Sequence, residues 1–153
     1  MRRTLDIGCN GYPRGTVNVD VDFSWSSPYM HHWKYDQYTA PKQELCERVK
    51  ADANYPLPFR SECFDEVYMV HILEHLLHPF KCLEEVYREL RRGGKVIIFV
   101  PNAKVNVADW RDEGHLYSFT QPTVSRLVGR LFRVEKSELL YDDEDIYLIG
   151  IKE

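Results

Sequence analysis

Apolar residues along this chain fall into short strand-like runs separated by polar stretches of helical spacing. The first run, Thr4-Leu5-Asp6-Ile7, enters the turn Gly8-Cys9-Asn10-Gly11; the second, Thr16 to Val21, alternates β-branched residues with Asn18 and Asp20. The connection between them is shorter than the dozen or so residues a parallel crossover normally takes, so its helix is expected to be missing or reduced to a turn. Phe23 to Tyr38 carries Trp25, Tyr29, Trp33, Tyr35 and Tyr38 without a sustained period and reads as a long loop. Pro41 to Arg48 predicts a short helix with proline in its first turn, and Val49 to Ala51 a third strand ending at Asp52. Phe64 to Val70 is a strong strand pattern that leads at His71 into a short helical stretch. Leu83, Val86, Tyr87 and Leu90 then keep helical spacing over 80–92, with Pro79 at the start and Gly93-Gly94 as the stop. Lys95 to Val100 reads as a buried strand and Pro122 to Leu131 as a helix opened by Thr120. Phe132 to Tyr141 and Ile146 to Ile151 flank Asp142 to Asp145, a strand pair around a solvated acidic turn. The order predicts a mostly parallel α/β sheet with one reversed strand near its C-terminal end.

Composition narrows the function classes. With 44% hydrophobic and 29% charged residues the 153-residue chain reads as one soluble domain, and no apolar run approaches the length of a membrane span. Met1-Arg2-Arg3 leads straight into a strand, so no cleavable signal peptide is expected. A net charge of -4 argues against broad binding to a nucleic-acid backbone. Arg88, Arg91, Arg92 and Lys95 are most simply explained as favouring the negative end of the preceding helix. Cys9, Cys46, Cys63 and Cys82 form no CxxC pair, which fits reduced thiols in the cytoplasm.

Asp6, Asp20 and Asp52 stand at the ends of three predicted strands, on the carboxyl edge where open α/β sheets bind ligands. Around them the ordered motifs become specific: Leu-Asp-Ile-Gly-Cys, Val-Asn-Val-Asp-Val, Ala51-Asp52-Ala53 with Leu57-Pro58-Phe59, and Phe64-Asp-Glu-Val running to Ile72-Leu-Glu-His-Leu76. Glu85 to Gly94 and Val100-Pro101-Asn102 follow in order. This set resembles the class I S-adenosylmethionine-dependent methyltransferases over about two thirds of the chain. The resemblance implies a Rossmann-like sheet with helices on both faces, and S-adenosylmethionine as cofactor with S-adenosylhomocysteine as product. It also implies residue roles. The turn from Asp6 through Gly8 to Asn10 would hold the methionine part, Asp20 the ribose hydroxyls, and Asp52 with the Ala53 backbone the adenine. His71 would lie near the methionine end or the transferred methyl. The chain departs from the family's glycine pattern by carrying Asn10 and Tyr12 at the second and third glycine positions.

Methyl transfer asks mainly for alignment of the acceptor and exclusion of water, with a base only where the acceptor must lose a proton early. His71 and His115 are the candidates, since imidazole titrates near neutrality. His115 lies in Gly114 to Thr120, where related proteins often build the acceptor pocket, and Trp110 and Tyr117 are placed to stack on a planar acceptor or sugar face. The expected acceptor is a small molecule, sugar or nucleoside, handled by a monomer or homodimer. Plainer readings accompany each candidate. Asp22 rivals Asp20; Asp52 also suits a turn; the loop aromatics serve equally as a lid or as core; Glu74 and His75 suit the packing of a helix start. A non-catalytic cofactor-binding protein is the alternative function. His71-Ile-Leu-Glu74-His75 also matches an inverted zinc-peptidase pattern, a remote alternative in which His71 and His75 share one helix face; with no clearly placed third ligand, no metal site is expected.

Overall fold

The computed structural model describes residues 1–25 and 31–153. These form one seven-stranded sheet from β1 (Thr4–Ile7), β2 (Val17–Asp20), β3 (Glu47–Lys50), β4 (Phe64–Val70), β5 (Leu90–Pro101), β6 (Arg133–Leu140) and β7 (Asp145–Ile151). The order is β3-β2-β1-β4-β5-β7-β6. Strands β3 to β5 along this order are parallel, while β7 lies antiparallel to β5 and β6 and is the single reversed strand. The α-helices are α1 (Pro79–Glu89), α2 (Val107–Arg111) and α3 (Gln121–Val128).

Register decides what covers each face, because paired residues of a parallel ladder project to the same side. Leu5, Ile7, Val17, Val19, Val67 and Met69 share the main core with Leu83 and Val86 of α1 and Val124 and Val128 of α3. On the opposite face Tyr68, Ile97, Phe99, Tyr147 and Ile149 pack against Tyr35 and Tyr38. Helical cover is therefore unequal: α1 and α3 lie on one face, and among the described residues packed on the other the 3-10 turn His32–Tyr35 supplies the helical cover. Tyr35 and Tyr38 thus serve as core; Trp33 is exposed, and Tyr29 lies outside the described residues.

The same register explains why no helix connects β1 to β2. Thr4 and Asp6 pair with Glu66 and Tyr68, and Asp6 also pairs with Asn18, so this end of the second face is polar and offers an amphipathic helix nothing to bury against. Residues 8–16 instead lie on it through hydrogen bonds. Arg14 N donates to Asp6 Oδ2 at 2.9 Å, Gly15 N to Asn18 Oδ1 at 2.9 Å, and Asn18 Nδ2 to Gly15 O at 2.8 Å. Thr16 and Thr4 exchange backbone-to-hydroxyl bonds at 3.0 and 2.9 Å. The Arg14 side chain, 1% exposed, donates to His32 O at 3.1 Å and stacks its guanidinium over the Tyr12 ring.

Two expected elements differ. No helix forms over Pro41–Arg48: Glu47 and Arg48 pair with Val17 and Asn18, and Asn18 Nδ2 donates to Glu47 O, so the ladder takes residues that an isolated short helix cannot hold. Helix α1 ends at Glu89 rather than at the glycines, because Leu90 turns extended to pair with Phe64. Gly93, at φ 79°, then lies within the irregular start of β5.

The closest approach in the crossover is Gly15. A methyl group there would meet Val17 O at 2.3 Å and Asp6 N at 2.8 Å, both backbone atoms that cannot move aside. Gly15→Ala is expected to destabilise the protein by about 1–3 kcal/mol or more, as overpacking does, read as a lowered urea midpoint with an unchanged slope.

Candidate functional site

At the carboxyl ends of β1, β2 and β3 a cavity of about 230 Å³ is lined by Gly8, Asp20, Asp52, Ala53, Asn54 and Ile72 among others, and by no lysine or arginine. The turn that forms its floor depends on two backbone conformations. Gly8 has φ 77°, and a Cβ there would sit 2.7 Å from the Ile72 side chain. Asn10 takes φ 51°, the left-handed region that asparagine tolerates better than most residues, which is how this chain does without the second glycine.

Asp20 secures that turn, accepting from Asn10 N at 2.6 Å through Oδ2 and from Asp22 N at 3.0 Å through Oδ1. Each oxygen keeps a further lone pair toward the cavity. Asp22 is exposed and spends its carboxylate on Ser24, so Asp20 is the one of the two that lines the site. Asp52 both lines the cavity and caps its own turn by accepting from Asn54 N at 2.9 Å. Asp6 is not a lining residue. Its side chain is on the opposite face, fully buried beneath Arg14, and burial raises its pKa to about 6 despite the neighbouring guanidinium. It shapes the turn from behind.

A second cavity of about 480 Å³ adjoins the first, sharing His75. Its walls include Asn10, Trp25, Lys34, Tyr35, His71, Glu74, Asp109, Asp112, His115 and Asp145. Both predicted histidines therefore reach one chamber. Trp110 and Tyr117 do not line it: the Trp110 indole donates to Ala103 O and the Tyr117 hydroxyl to Leu77 O.

His71 follows β4 at φ 53° and is clamped. The Tyr35 hydroxyl donates its one proton to Asp145 Oδ2 at 2.7 Å, so its oxygen must accept from His71 Nε2, also at 2.7 Å. On the other side His71 Nδ1 lies 3.4 Å from Glu74 Oε1. Burial acts to lower the His71 pKa, but the two carboxylates outweigh it and raise it to about 9. Burial likewise acts to raise the Asp145 pKa, and the bonds from His71 and Tyr35 overcome it, leaving the carboxyl below its usual range. Asp145 is only 3% exposed, so the acidic turn is not uniformly solvated. Its position in β7, two residues before Tyr147, is the one sequence signal that places it on the aromatic face. Glu74 and Asp109 were equally hidden, since nothing in their spacing announces a partner in distant segments.

The imidazole-rich arrangement also differs from the zinc-peptidase pattern. The helical turn after β4 is a 3-10 turn of Leu73–His75, and His71 stands outside it, so His71 and His75 do not share a helix face.

A glycine turn beside the carboxylates of Asp20 and Asp52 at the carboxyl edge, with no lysine or arginine among the described lining residues, suits a nucleoside-bearing, phosphate-free ligand on an α/β sheet. Residues 5–98 match the family model described as a methyltransferase domain, and the chain belongs to that family. It is an S-adenosylmethionine-dependent methyltransferase. Among curated proteins none matches the chain in sequence. Solved structures share the fold. An S-adenosylmethionine-dependent methyltransferase from Mesorhizobium loti superposes with a TM-score of 0.68 at 14% identity, over 98% of this chain and 90% of that one. A Pyrococcus horikoshii protein gives 0.68 at 17%, over 100% and 83%. A Haloferax volcanii chain solved in complex with the methyltransferase activator Trm112 gives 0.70 at 16%, over 97% and 81%.

The His71 clamp has a pH signature. A folded-state pKa raised above the unfolded value of about 6.5 contributes stability that is fully present below pH 6.5 and lost as pH rises through about 9. His71→Asn, which tolerates the positive φ, is expected to be less stable than the native chain at pH 6 by a margin that shrinks toward pH 9.5, measured by thermal unfolding across that range.

Proposed function

We propose that this chain methylates a small, unphosphorylated hydroxyl-bearing acceptor, of the sugar or nucleoside class, in the chamber walled by His71, His75 and His115. The observation that supports this is the meeting of two unlike cavities at His75: one apolar with two carboxylates and no cation, the other polar and rich in carboxylates. Glu74, Asp109, Asp112, Glu144 and Asp145 face Lys34 across the second cavity, a balance that disfavours a phosphorylated acceptor.

In this reading Gly8 lets the backbone approach the cofactor, Asp20 accepts from the ribose hydroxyls, and Asp52 with Ala53 receives the adenine. Asn10, two residues beyond Gly8 in the same turn, lines the second cavity at the methionine end. When bound, S-adenosylmethionine supplies a methyl group on a positively charged sulfur, which leaves as a neutral thioether once the acceptor atom has taken the methyl. His71 is a positioning residue: clamped between Asp145 and Glu74, it holds the end of β4 and is already protonated at neutral pH, so it does not serve as a base there. His115 is the residue that meets the acceptor, with Nδ1 committed to Asp109 Oδ1 at 2.7 Å and Nε2 on the cavity side, 3.3 Å from the half-exposed Asp112 carboxylate. The four cysteines are free, in keeping with a cytoplasmic setting.

Incubation with S-adenosylmethionine and a panel of nucleosides, free sugars and their phosphates tests the proposal. Formation of S-adenosylhomocysteine with unphosphorylated members, and not with their phosphates, is expected; preference for the phosphates would reject the acceptor class. Saturating S-adenosylhomocysteine without any turnover would assign the chain a binding role instead. Asp20→Ala is expected to weaken S-adenosylhomocysteine binding by about 1–3 kcal/mol through lost buried hydrogen bonds, measured by calorimetric titration.

A further inference from the structure

Three side chains from two separate segments converge where the cavities meet. Glu74, His75 and His115 each bring one potential ligand atom to within 4.8 Å of the others. The segments are joined by backbone: Glu74 O accepts from Leu116 N at 2.8 Å and from Tyr117 N at 3.1 Å. The loop carrying His115 is thereby docked onto the turn carrying Glu74 and His75, and the two imidazoles meet edge to face with centroids 4.5 Å apart.

The protonation pattern of this group is specific. His75 Nδ1 lies 2.8 Å from Gly114 O, and a carbonyl can only accept, so Nδ1 carries the proton and Nε2 its lone pair. Close packing holds that contact, since a Cβ on Gly114 would stand 3.3 Å from His75 Nδ1. His115 Nδ1 lies 2.7 Å from the buried Asp109 carboxylate, which fixes the same tautomer. Both rings thus turn Nε2 toward carboxylate oxygens, Glu74 Oε1 at 3.7 Å from His75 and Asp112 Oδ2 at 3.3 Å from His115, while a carbonyl or carboxylate holds Nδ1, the outer-shell arrangement that orients histidines on metals. Glu74 supplies an independent sign. Its side chain is fully buried, and neither carboxylate oxygen accepts a hydrogen bond from any described residue, although His71 Nδ1 and His75 Nε2 lie 3.4 and 3.7 Å from Oε1. His71 balances part of this charge at ion-pair distance from Oε1, but Oε2 meets no donor among the described residues, and a buried carboxylate left in that state is costly unless a cation completes it.

We infer that Glu74, His75 Nε2 and His115 Nε2 form a binding site for one divalent transition-metal ion at the acceptor end of the site. Two imidazoles and one carboxylate suit zinc, manganese or iron(II) rather than calcium or magnesium, which prefer all-oxygen sets. Asp112, whose Oδ2 is 3.3 Å from His115 Nε2, stands beside the group as a candidate fourth ligand. Bonds of about 2.0–2.2 Å require the three ligand atoms, now within 4.8 Å of one another, to draw together by side-chain rotation. The ion faces the chamber in which the preceding section places an acceptor hydroxyl, and a coordinated hydroxyl is more acidic than a free one. The role rests on that reading; the site itself rests only on the geometry.

Chelator-stripped protein is titrated with zinc by calorimetry and with cobalt(II) by visible absorption, with magnesium as the comparison. One saturable equivalent of zinc, a cobalt d–d band, and a loss of about tenfold to a hundredfold in zinc affinity in His75→Ala and in His115→Ala are expected, with His78→Ala unchanged. No saturable zinc binding by the native chain, or binding that either ligand variant leaves intact, would overturn the inference. S-Adenosylhomocysteine titration of the same samples reports folding and separates the two readings. Retained cofactor binding without metal sinks only the metal site, and metal binding without methyl transfer sinks only the acceptor proposal.

Discussion

The structure turns on one buried carboxylate and the short connection laid over it. Asp6 sits inside the sheet with Arg14 N bonded to it and the Arg14 guanidinium close by, and that contact holds the chain from Gly8 to Thr16 flat against β1 and β2. Because the face beneath is Thr4, Asp6 and Asn18 instead of aliphatic, a hydrogen-bonded strap replaces a packed helix. The strap's entry is the turn at Gly8 and Asn10, whose Gly8 lines the cavity at the carboxyl ends of β1, β2 and β3, so fold and candidate site share one cause. An ionisable group this deep is an unfavourable element in isolation; here its partners are one backbone amide and the guanidinium of Arg14, in the very loop that must be placed.

From that edge the site is assembled across the sheet rather than along the chain. β4 delivers His71 at its end, the segment after it supplies Glu74 and His75, the loop past α2 brings His115, and β7 returns Asp145. The aromatic face contributes through Tyr35, which is both core and hydrogen-bond relay between His71 and Asp145. Tyr35 therefore couples the packing of the thin face to the geometry of the second cavity. A fold with one helical face and one aromatic face still closes its core because Phe99 and Tyr147 stack on each other and meet Tyr38 at a tilt, large rings doing with few residues what a helix would do with many.

Asp109 and Glu74 give the chamber its electrostatic character. One holds the tautomer of His115, while the other lies beneath His71 and His75 with its oxygens free of hydrogen bonds from the described residues. Carboxylates placed behind imidazoles set which ring nitrogen faces the cavity, and that choice decides the chemistry open to the site.

Much of this was legible from local pattern. The strands β1, β2, β4, β5, β6 and β7, the helices α1 and α3, the reversed strand and the absent first helix follow from period and spacing, because those signals are carried by residues near one another in the chain. Gly8, Asp20, Asp52 and Ala53 lie where strand ends must gather in an open α/β sheet. What local pattern could not decide was partnership. Glu47 and Arg48 read as helix until β2 offered them a ladder, Asp145 read as solvent-facing until Tyr35 and His71 met it, and His75 looked like the companion of His71 until a positive φ turned His71 away. Each of these outcomes depends on a contact between residues far apart in the chain, whose energy has no counterpart in the sequence around either one.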